Sequence, residues 1–266
     1  MYNVVIVILN YLNYKDTLEC VRSISEMQYD IKGIVIVDNG SDNGSFECLK
    51  RSFYQQNNVH VIKSLKNLGF ARGNNLGIRY ARKKLGADFV LVINNDIIFI
   101  DKDYLTKMIG EYRKGVGIIG SKIIVGDNNA QPQMVGYLGM RDCVCRYLNG
   151  ISKRYGSCFD FPVNQGEAVT VLHGCALLFT KDFFEKYNGL YPGTFLYCEE
   201  YILYLMCQLK DLKQIYCPTA KLYHKEDQSS LLSFQNDDSV KQRYVMRSEK
   251  HVILWKTLTL FKGLRK

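Results

Sequence analysis

The sequence predicts an α/β fold built on a mostly parallel sheet with helices on both faces. Short apolar runs such as Val4–Leu9 and Phe89–Ile93 are typical of strands that are buried on both faces. Segments with apolar residues at helical spacing alternate with these runs, as they do in sheets whose parallel strands are joined by helices. Several runs end in Asn or Asp, and in open α/β sheets ligands bind at the carboxyl ends of the strands. The sequence therefore predicts a ligand site at that edge of the sheet.

The elements of the first half follow one another at short intervals. After the strand Val4–Leu9 we expect a helix over Thr17–Ser25, for which Asp16 is the predicted N-cap. The further elements predicted in this half are a strand at Gly33–Val37, a weaker helix at Phe46–Phe53, a strand at Val59–Ile62, a helix ending near Lys84 and a strand at Phe89–Ile93. The alternation of strand and helix favours a parallel order for these strands.

The second half is less regular, and Ser121–Phe161 is rich in Gly, Tyr and Cys with weak periodicity. We expect loops and short strands in that stretch. The other elements predicted here are a helix at Lys102–Arg113, a strand at Gly117–Ile119, strands at Ala168–Leu172 and Ala176–Phe179, a short helix at Asp182–Tyr187, a helix at Glu199–Leu209, a strand at Leu212–Tyr216 and one or two basic helices within Asp238–Leu260.

The composition is that of a globular protein with an excess of positive charge. The formal net charge of +9 favours anionic partners such as nucleotide phosphates, nucleic acid or an anionic membrane surface. Nine cysteines without a C-x-x-C pair argue against a zinc framework or a disulfide scaffold, so we expect reduced thiols in the cytoplasm. We expect neither a signal peptide nor a span of ~20 apolar residues that crosses a bilayer. The basic residues follow no recognised nucleic-acid-binding pattern, so no nucleic-acid partner is expected.

Two polar clusters follow predicted strands. Asn94, Asn95 and Asp96 come after the strand Phe89–Ile93, and Asp38 with Asn39 follows the second strand. A carboxylate in such a place can bind Mg²⁺ or Mn²⁺ together with substrate phosphates, and amides can bind sugar hydroxyls. Asp38 and Asn39 could accept the imide N–H of a uracil or thymine. The alternative is that both clusters are turns, in which Asn and Asp are common.

The segment Asn67–Gly77 combines three glycines with Arg72 and Asn74 at the start of a predicted helix. Glycine lets the backbone approach a ligand closely, and a helix N-terminus with an arginine suits an anion. The segment is neither the G-x-G-x-x-G dinucleotide fingerprint nor a P-loop. It is either a ligand-binding loop or a structural one.

Glu199 and Glu200 open a predicted helix, and either of them could act as a general base. The alternative is that the two carboxylates favour the helix dipole. His224 follows a strand and could bind a metal ion or a phosphate oxygen, or it could be structural. The tail from Tyr244 to Lys266 mixes basic and apolar residues. It could lie on an anionic bilayer, or it could be a packing helix with a solvated basic face.

Taken together, these motifs resemble the family 2 inverting glycosyltransferases, especially the rhamnosyltransferase-like branch. The matching pieces stand in the family's order over about residues 4–228. They are Val7-Ile-Leu-Asn-Tyr, Ile36-Val-Asp-Asn-Gly-Ser, Asn67-Leu-Gly-Phe-Ala-Arg-Gly-Asn-Asn-Leu-Gly-Ile, Leu91-Val-Ile-Asn-Asn-Asp, Gly174-Cys-Ala-Leu-Leu-Phe and Phe195-Leu-Tyr-Cys-Glu-Glu.

The resemblance implies a GT-A fold, in which a Rossmann-like sheet that binds a nucleotide sugar is fused to a smaller acceptor-side region. Residues 1–120 would then bind the donor, 121–230 would bind the acceptor and carry the catalytic residues, and 231–266 would form a basic helical tail. By resemblance, the donor-binding residues are Leu9, Asn10, Asp38, Asn39, Arg72, Asn74, Asn94 and Asn95. Asp96 would hold Mg²⁺ or Mn²⁺ on the diphosphate, and Glu200 would be the catalytic carboxylate, with Glu199 beside it. From its place after a strand, His224 is the candidate for a second metal ligand.

The same resemblance implies a reaction and a setting. The chain would move a sugar with inversion from a UDP- or dTDP-sugar to a hydroxyl of a glycan or lipid-linked glycan, in bacterial surface polysaccharide synthesis. It would act in the cytoplasm, at the inner face of the plasma membrane if the tail contacts lipid. The oligomeric state is left open.

This sequence also departs from the family pattern. The family's Glu-Asp pair is Glu199-Glu200 here, and Ile202 and Met206 stand where many relatives have Asp and Arg. His173 replaces a small residue before Gly174. The alternative function is therefore a non-catalytic nucleotide-sugar-binding or scaffolding protein of the same fold. A nicotinamide dehydrogenase is less favoured because the glycine fingerprint after the first strand is missing.

Overall fold

One sheet of nine strands organises the part of the chain that the computed structural model describes, which is residues 2–126, 129–130, 140, 143–144, 147–148, 171–225 and 238–264. The strands are β1 Val4–Asn10, β2 Gly33–Asp38, β3 Val59–Lys63, β4 Phe89–Asn94, β5 Ile97–Phe99, β6 Val116–Val125, β7 Asn129–Ala130, β8 Ala176–Phe179 and β9 Lys213–His224. Their order in space is β3-β2-β1-β4-β8-β6-β9-β5, and β7 pairs with β6.

The four strands of the first half are parallel, as the sequence predicts. β1 lies between β2 and β4, and β3 extends the sheet beyond β2. β8 pairs antiparallel with both β4 and β6, so the second half of the sheet is mixed. The residue before β8 is Cys175, whose carbonyl accepts a hydrogen bond from the backbone N–H of Asn94 at 2.9 Å. The start of β8 therefore lies at the carboxyl end of β4.

Seven helices in the described residues cover the sheet. They are α1 Tyr14–Ser25, α2 Ser45–Ser52, α3 Phe70–Lys84, α4 Tyr104–Gly110, α5 Lys181–Lys186, α6 Glu199–Leu209 and α7 Asp238–Gly263. The tail is thus one helix, which packs on α6. No described helix is both long and apolar enough to cross a membrane. The predicted loops and strands over Ser121–Phe161 lie largely outside the described residues, as does most of the predicted strand Ala168–Leu172.

Several predicted boundaries are wrong, among them the end of the strand predicted at Gly117–Ile119, which continues to Val125. Asn13, not Asp16, caps α1, because the Asn13 side chain accepts a hydrogen bond from the Asp16 backbone N–H. α4 is shorter than the predicted helix over Lys102–Arg113. β9 does not end at Tyr216 but continues past Pro218 to His224. The register of β9 on β6 shifts between Cys217 and Lys221, so an irregularity around the proline replaces the predicted end of the strand.

The core lies on both faces of the sheet. Val4, Ile6 and Ile8 of β1 point into one apolar cluster, and Val5 and Val7 point into the other. This alternation across a strand buried on both faces explains why the whole run is apolar.

α3 lies unusually close to the sheet because glycine faces the strands. A Cβ atom at Gly77 would lie 2.4 Å from Cγ1 of Val7, and one at Gly73 would lie 2.7 Å from Cδ1 of Leu9. Two of the glycines in the Asn67–Gly77 segment therefore serve the packing of helix on sheet.

Candidate functional site

The carboxyl ends of β1, β2 and β4 bring the predicted polar residues to one edge of the sheet. Asn10 stands opposite Asp38 in the β1–β2 ladder, and Leu9 stands opposite Asn94 in the β1–β4 ladder. The Asn10 side-chain amide donates to Asp38 Oδ2 at 2.8 Å, and Oδ1 of Asp38 accepts from the Ser41 backbone N–H at 3.0 Å. Asp38 is thus a buried carboxylate held by protein donors at the strand end.

Asp96 and His224 form the most distinctive polar pair of this edge. Ile97 of β5 stands opposite His224 of β9, so the residue before Ile97 lies beside the histidine. His224 Nε2 is 3.3 Å from Asp96 Oδ1, and both residues are buried. Nδ1 of His224 is also buried, and it has no hydrogen-bond partner in the described part of the chain.

The Asp96–His224 pair fits a divalent cation. Two ligands about 2.1 Å from an octahedral ion, in adjacent positions, lie about 3 Å apart, close to the separation of these two atoms. No group of three or more His, Cys, Asp or Glu side chains that could hold a metal occurs within the described ranges. An ion at this pair would therefore take its other ligands from water or from substrate phosphates, as Mg²⁺ commonly does.

The turn His173-Gly174-Cys175 connects this pair with the carboxylates of α6. The His173 ring lies 6.2 Å from the His224 ring between centroids. Burial, and then the neighbouring His224, lowers the pKa of His173 to about 4, so its imidazole is neutral at neutral pH. Burial raises the pKa of Cys175, and Asp96 and Glu200 raise it further, so this thiol lies near both carboxylates.

Glu200 is held directly by the turn. A Cβ atom at Gly174 would lie 2.4 Å from Glu200 Oε1, so only glycine leaves room for the carboxylate there. Burial raises the pKa of Glu200, and hydrogen bonds from the backbone N–H groups of Glu200 and Gly174 partly oppose the rise. Glu200 is only half-buried by surface area, so the carboxylate can meet a ligand from solvent.

Glu199 has a different environment from its neighbour. It is 6% exposed, and its Oε1 atom has no hydrogen-bond partner in the ranges that the structure describes. Burial, and then the charge of Glu200, raises its pKa to about 8, while the nearby Thr194 side chain partly opposes this. At neutral pH, Glu199 is therefore mostly a neutral acid.

The backbone just before the two glutamates is unusual. Tyr197 and Cys198 have φ angles of 71° and 66°, in the left-handed region that residues other than glycine rarely occupy. Such strain persists where the surrounding structure fixes the backbone, and it concentrates at functional sites.

The glycine-rich segment before and within α3 anchors the loop that leads to these glutamates. Residues 190–198 are called the 190–198 loop below. The Phe70 backbone N–H donates to Phe195 O at 2.7 Å, and Arg72 Nε donates to Pro192 O at 2.7 Å. A Cβ atom at Gly69 would lie 2.2 Å from the same Phe195 oxygen. The segment therefore positions the 190–198 loop, whatever ligand it also contacts.

Asn75, which has no role in the sequence prediction, holds the beginning of that loop. Its side-chain amide donates to Leu190 O at 2.8 Å, and its Oδ1 accepts from the Leu190 backbone N–H at 2.8 Å. The partner is backbone, so no pattern of residue types could have indicated this contact.

The predicted donor-binding residues fall into distinct settings. Asn39 is buried and donates to Asn67 Oδ1 and Gly69 O, so it shapes the start of α3. Asn74 is fully buried, with its Oδ1 unpartnered among the described residues. Asn95 turns away towards α1, where its amide donates to Asn13 O at 2.8 Å and to the Thr17 hydroxyl at 3.2 Å. Arg72 is exposed, and Leu9 and Asn94 are half-buried at the strand ends.

Known proteins resemble this chain in sequence. The family model described as glycosyl transferase family 2 matches residues 4–187. The low-salt glycan biosynthesis hexosyltransferase Agl10 of Haloferax volcanii is 26% identical over 198 residues, which cover 73% of this chain and 58% of that protein. The rhamnosyltransferase WbbL of Escherichia coli K12 is 25% identical over 166 residues, covering 59% of this chain and 60% of that protein. The match thus spans less than two thirds of each of these relatives.

A solved structure shares the fold. The mannosyltransferase PcManGT of Pyrobaculum calidifontis, determined with GDP-Man and Mn²⁺, superimposes with a TM-score of 0.61 at 12% identity. The match covers 99% of this chain and 75% of that one. At this identity the likeness supports the fold, which is the GT-A type that the sequence resemblance implies.

Proposed function

The chain belongs to glycosyl transferase family 2, and from that premise we propose that it transfers a sugar from a nucleotide-diphosphate donor to a hydroxyl of a glycan. The donor is a UDP- or dTDP-sugar, and the anomeric carbon is inverted. The observation that supports this most is the gathering of Asp96, His224 and Glu200 around the turn His173–Cys175 at the carboxyl end of β4.

In this proposal the strand-end residues bind the donor. Asp38 and Asn39 face the base and Asn94 faces the ribose or the sugar, while Asn95, whose amide is bound to Asn13 and Thr17, supports this edge from the side of α1. The N-terminus of α3 with Arg72 and Asn74 approaches the nucleotide, with Leu9 and Asn10 beneath it. Asp96 and His224 hold Mg²⁺ or Mn²⁺ against the diphosphate. When bound, the ion offsets the negative charge that develops on the leaving diphosphate. The presence of Mn²⁺ in the PcManGT structure supports this choice of metal.

Glu200 is the proposed general base. It accepts the proton of the acceptor hydroxyl as that oxygen attacks the anomeric carbon, and the bond from that carbon to the diphosphate breaks on the opposite side. A raised pKa makes the Glu200 carboxylate a stronger base for this step. Glu199, being mostly neutral, can donate a hydrogen bond that orients the acceptor.

The acceptor is proposed to be a growing glycan, free or lipid-linked, in surface polysaccharide synthesis. The named activities of the two relatives, glycan biosynthesis and rhamnosyl transfer, support this class. Residues 1–120 supply the donor half, residues 121–230 the acceptor half, and residues 231–266 the tail that meets the inner face of the plasma membrane. The seven cysteines that the structure describes are free thiols, which suits the cytoplasm.

One observation favours a second candidate, a non-catalytic nucleotide-sugar-binding protein. Ile202 and Met206, which replace polar residues common in relatives, are 1% and 3% exposed and belong to the apolar core. The polar groups that many relatives place there are therefore absent from this wall of the site.

Release of nucleotide from donor sugars separates the two candidates. The full chain is incubated with UDP- and dTDP-sugars, with and without Mn²⁺, and free UDP or dTDP is measured. We expect slow, Mn²⁺-dependent release from one donor, because water replaces the acceptor in such enzymes. Donor binding that stabilises the protein against heat, without any release and without transfer to glycan acceptors, would instead favour the non-catalytic protein.

A further inference from the structure

A cationic cavity of about 640 Å³ lies apart from the carboxylate site, between α3, α7 and residues 187–192. Its α3 wall is Asn75, Arg79, Arg82 and Lys83, and the three basic residues lie on the half of the helix that is farther from the strand ends of the candidate site. At a rise of 1.5 Å per residue, these side chains start about 14–20 Å along the helix from Phe70. The cavity is therefore a second site and not a branch of the first.

The cavity carries positive charge without a compensating acid. Its described lining includes three basic residues but neither Asp nor Glu. Arg79 and Lys83 are exposed and form no ion pair within the described ranges, while the Arg82 guanidinium lies over the Phe184 ring at 4.5 Å from its centroid. Three cations that face a common space attract an anion of similar size.

The opposite wall is aromatic, because Trp255 and Tyr191 both line the cavity. The Trp255 ring is fixed edge-on against Tyr191, at 5.5 Å between centroids. Nε1 of Trp255 is buried and therefore lies behind the cavity wall, so the cavity meets the indole ring and not its N–H. A ligand in the cavity would lie between this ring and the three cations.

The surface next to the cavity is apolar and exposed. Leu254, Leu258 and Phe261 are 49%, 41% and 59% exposed and follow one another at helical spacing along α7. Leu258 lies one turn beyond Trp255, so this apolar stripe begins at the rim of the cavity. A basic site for phosphate beside an exposed apolar helix stripe matches the boundary between lipid headgroups and acyl chains.

We propose that the cavity binds the phosphate of an anionic phospholipid headgroup while Leu254, Leu258 and Phe261 enter the bilayer interface. The adjoining apolar stripe favours a lipid over a soluble phosphate compound, because a soluble compound would leave that stripe exposed to water. The proposal rests on the membrane contact of the tail that is part of the proposed function, and its test measures membrane binding alone, so its failure is distinguishable from a failure of sugar transfer.

Trp255 makes the site directly observable, because it is the only tryptophan in the chain. The full-length protein is titrated with vesicles of phosphatidylcholine, with and without phosphatidylglycerol, while Trp255 fluorescence and co-sedimentation are followed. We expect a saturable change in emission with phosphatidylglycerol vesicles and little change with phosphatidylcholine alone. Inorganic phosphate, at the same phosphate concentration, should change the emission much less.

Two double variants provide the matched comparison. Arg79→Gln with Lys83→Gln should weaken vesicle binding roughly tenfold or more, since each basic residue at an anionic surface contributes substantially. Lys84→Gln with Lys114→Gln removes the same charge at exposed positions outside the cavity. That control should weaken binding less than about threefold. Both should keep the wild-type circular dichroism and thermal midpoint, because all four side chains are exposed.

Two further variants keep the test independent of charge. Leu254→Gln removes an exposed apolar side chain next to the cavity, and should weaken co-sedimentation with phosphatidylglycerol vesicles. Leu258→Gln should weaken it as well. If the two double variants lose vesicle binding to the same extent, the binding arises from general charge attraction and the proposal is overturned. A larger emission change with inorganic phosphate than with vesicles would show that the cavity binds a soluble phosphate compound. That result would overturn the proposal of a lipid ligand.

Discussion

The carboxylate of Glu200 lies against the backbone of Gly174, where a Cβ atom would come within 2.4 Å of Oε1. The same turn begins with His173, which faces His224, and ends with Cys175, which lies near both Asp96 and Glu200. One three-residue turn therefore sets the position of the proposed base relative to the proposed metal ligands.

Gly174→Ala should displace the Glu200 side chain, because the new methyl group occupies the place of its carboxyl. We expect sugar transfer or donor hydrolysis to fall roughly 100-fold, which is what misplacement of a catalytic group by about 1 Å can cost. Donor affinity measured by calorimetry should change little. Gly110→Ala is the control, since a Cβ atom at Gly110 meets nothing within 4 Å. Full activity in Gly174→Ala would contradict the assignment of Glu200.

Glu200→Gln should abolish transfer, with a loss of about 10²–10⁴, because the amide cannot accept the acceptor proton. Nucleotide binding should be retained. Glu199→Gln should cost much less, since Glu199 is already mostly neutral at pH 7. Rates with saturating donor and acceptor check both variants, and the reverse order of effects would make Glu199 the base.

Glu199 should make the protein less stable as pH rises. Its pKa increases from 4.5 in the unfolded chain to about 8 in the fold, so the folded state binds more protons between these values. The free energy of unfolding should therefore decline from about pH 5 to pH 8, by a few kcal/mol at most. Urea unfolding of the wild type and of Glu199→Gln measures this. The variant should lose most of the decline, and parallel curves would show that Glu199 is not the source.

Asp96→Ala should remove the metal-dependent part of donor binding. Substitution of partners outside the ligand shell typically lowers metal affinity 10–100-fold, so loss of a ligand should cost at least about 100-fold. Calorimetry of UDP or dTDP with and without Mn²⁺ measures the effect. Asp42→Ala, which removes an exposed carboxylate, is the matched control. If the donor affinity of the wild type does not depend on Mn²⁺, the proposed metal site is contradicted.

Gly77→Ala should destabilise the fold without touching the site. The added methyl group would lie 2.4 Å from Val7 Cγ1, so α3 must move away from the sheet. Overpacking of this kind typically costs about 1–3 kcal/mol in the free energy of unfolding. Urea unfolding compared with Gly110→Ala measures it, and a stability equal to wild type would mean that α3 adjusts freely.

The first half of the fold could be predicted from the sequence because its signals are local. Apolar runs such as Val4–Asn10 are buried on both faces, and their polar ends meet at one edge. Predictions failed where pairing with distant strands extends an element. The strand predicted at Leu212–Tyr216 continues to His224 beyond an irregularity, because β6 and β5 supply partners on either side.

The candidate site was predictable in its residue types but not in its geometry. Asp96, His224 and Glu200 stand out as polar residues at element ends. Their proximity depends on the reversal at His173–Cys175, which joins residues far apart in the sequence. Two features could not be predicted from the sequence. Asn75 binds the backbone of Leu190, which has no residue-type pattern, and the indole N–H of Trp255 lacks a partner among the described residues, which no pattern indicates.

The two hydrogen bonds between Asn75 and Leu190 have a practical consequence. Both of its hydrogen bonds go to the backbone of the 190–198 loop, and so does the bond from Phe70 to Phe195. The attachment of the loop to α3 therefore does not depend on the loop's own side chains, whereas its attachment to α7 does, through Tyr191 on Trp255 and Phe195 on Tyr244. Loop variants that keep these two aromatic residues should therefore keep the position of the loop.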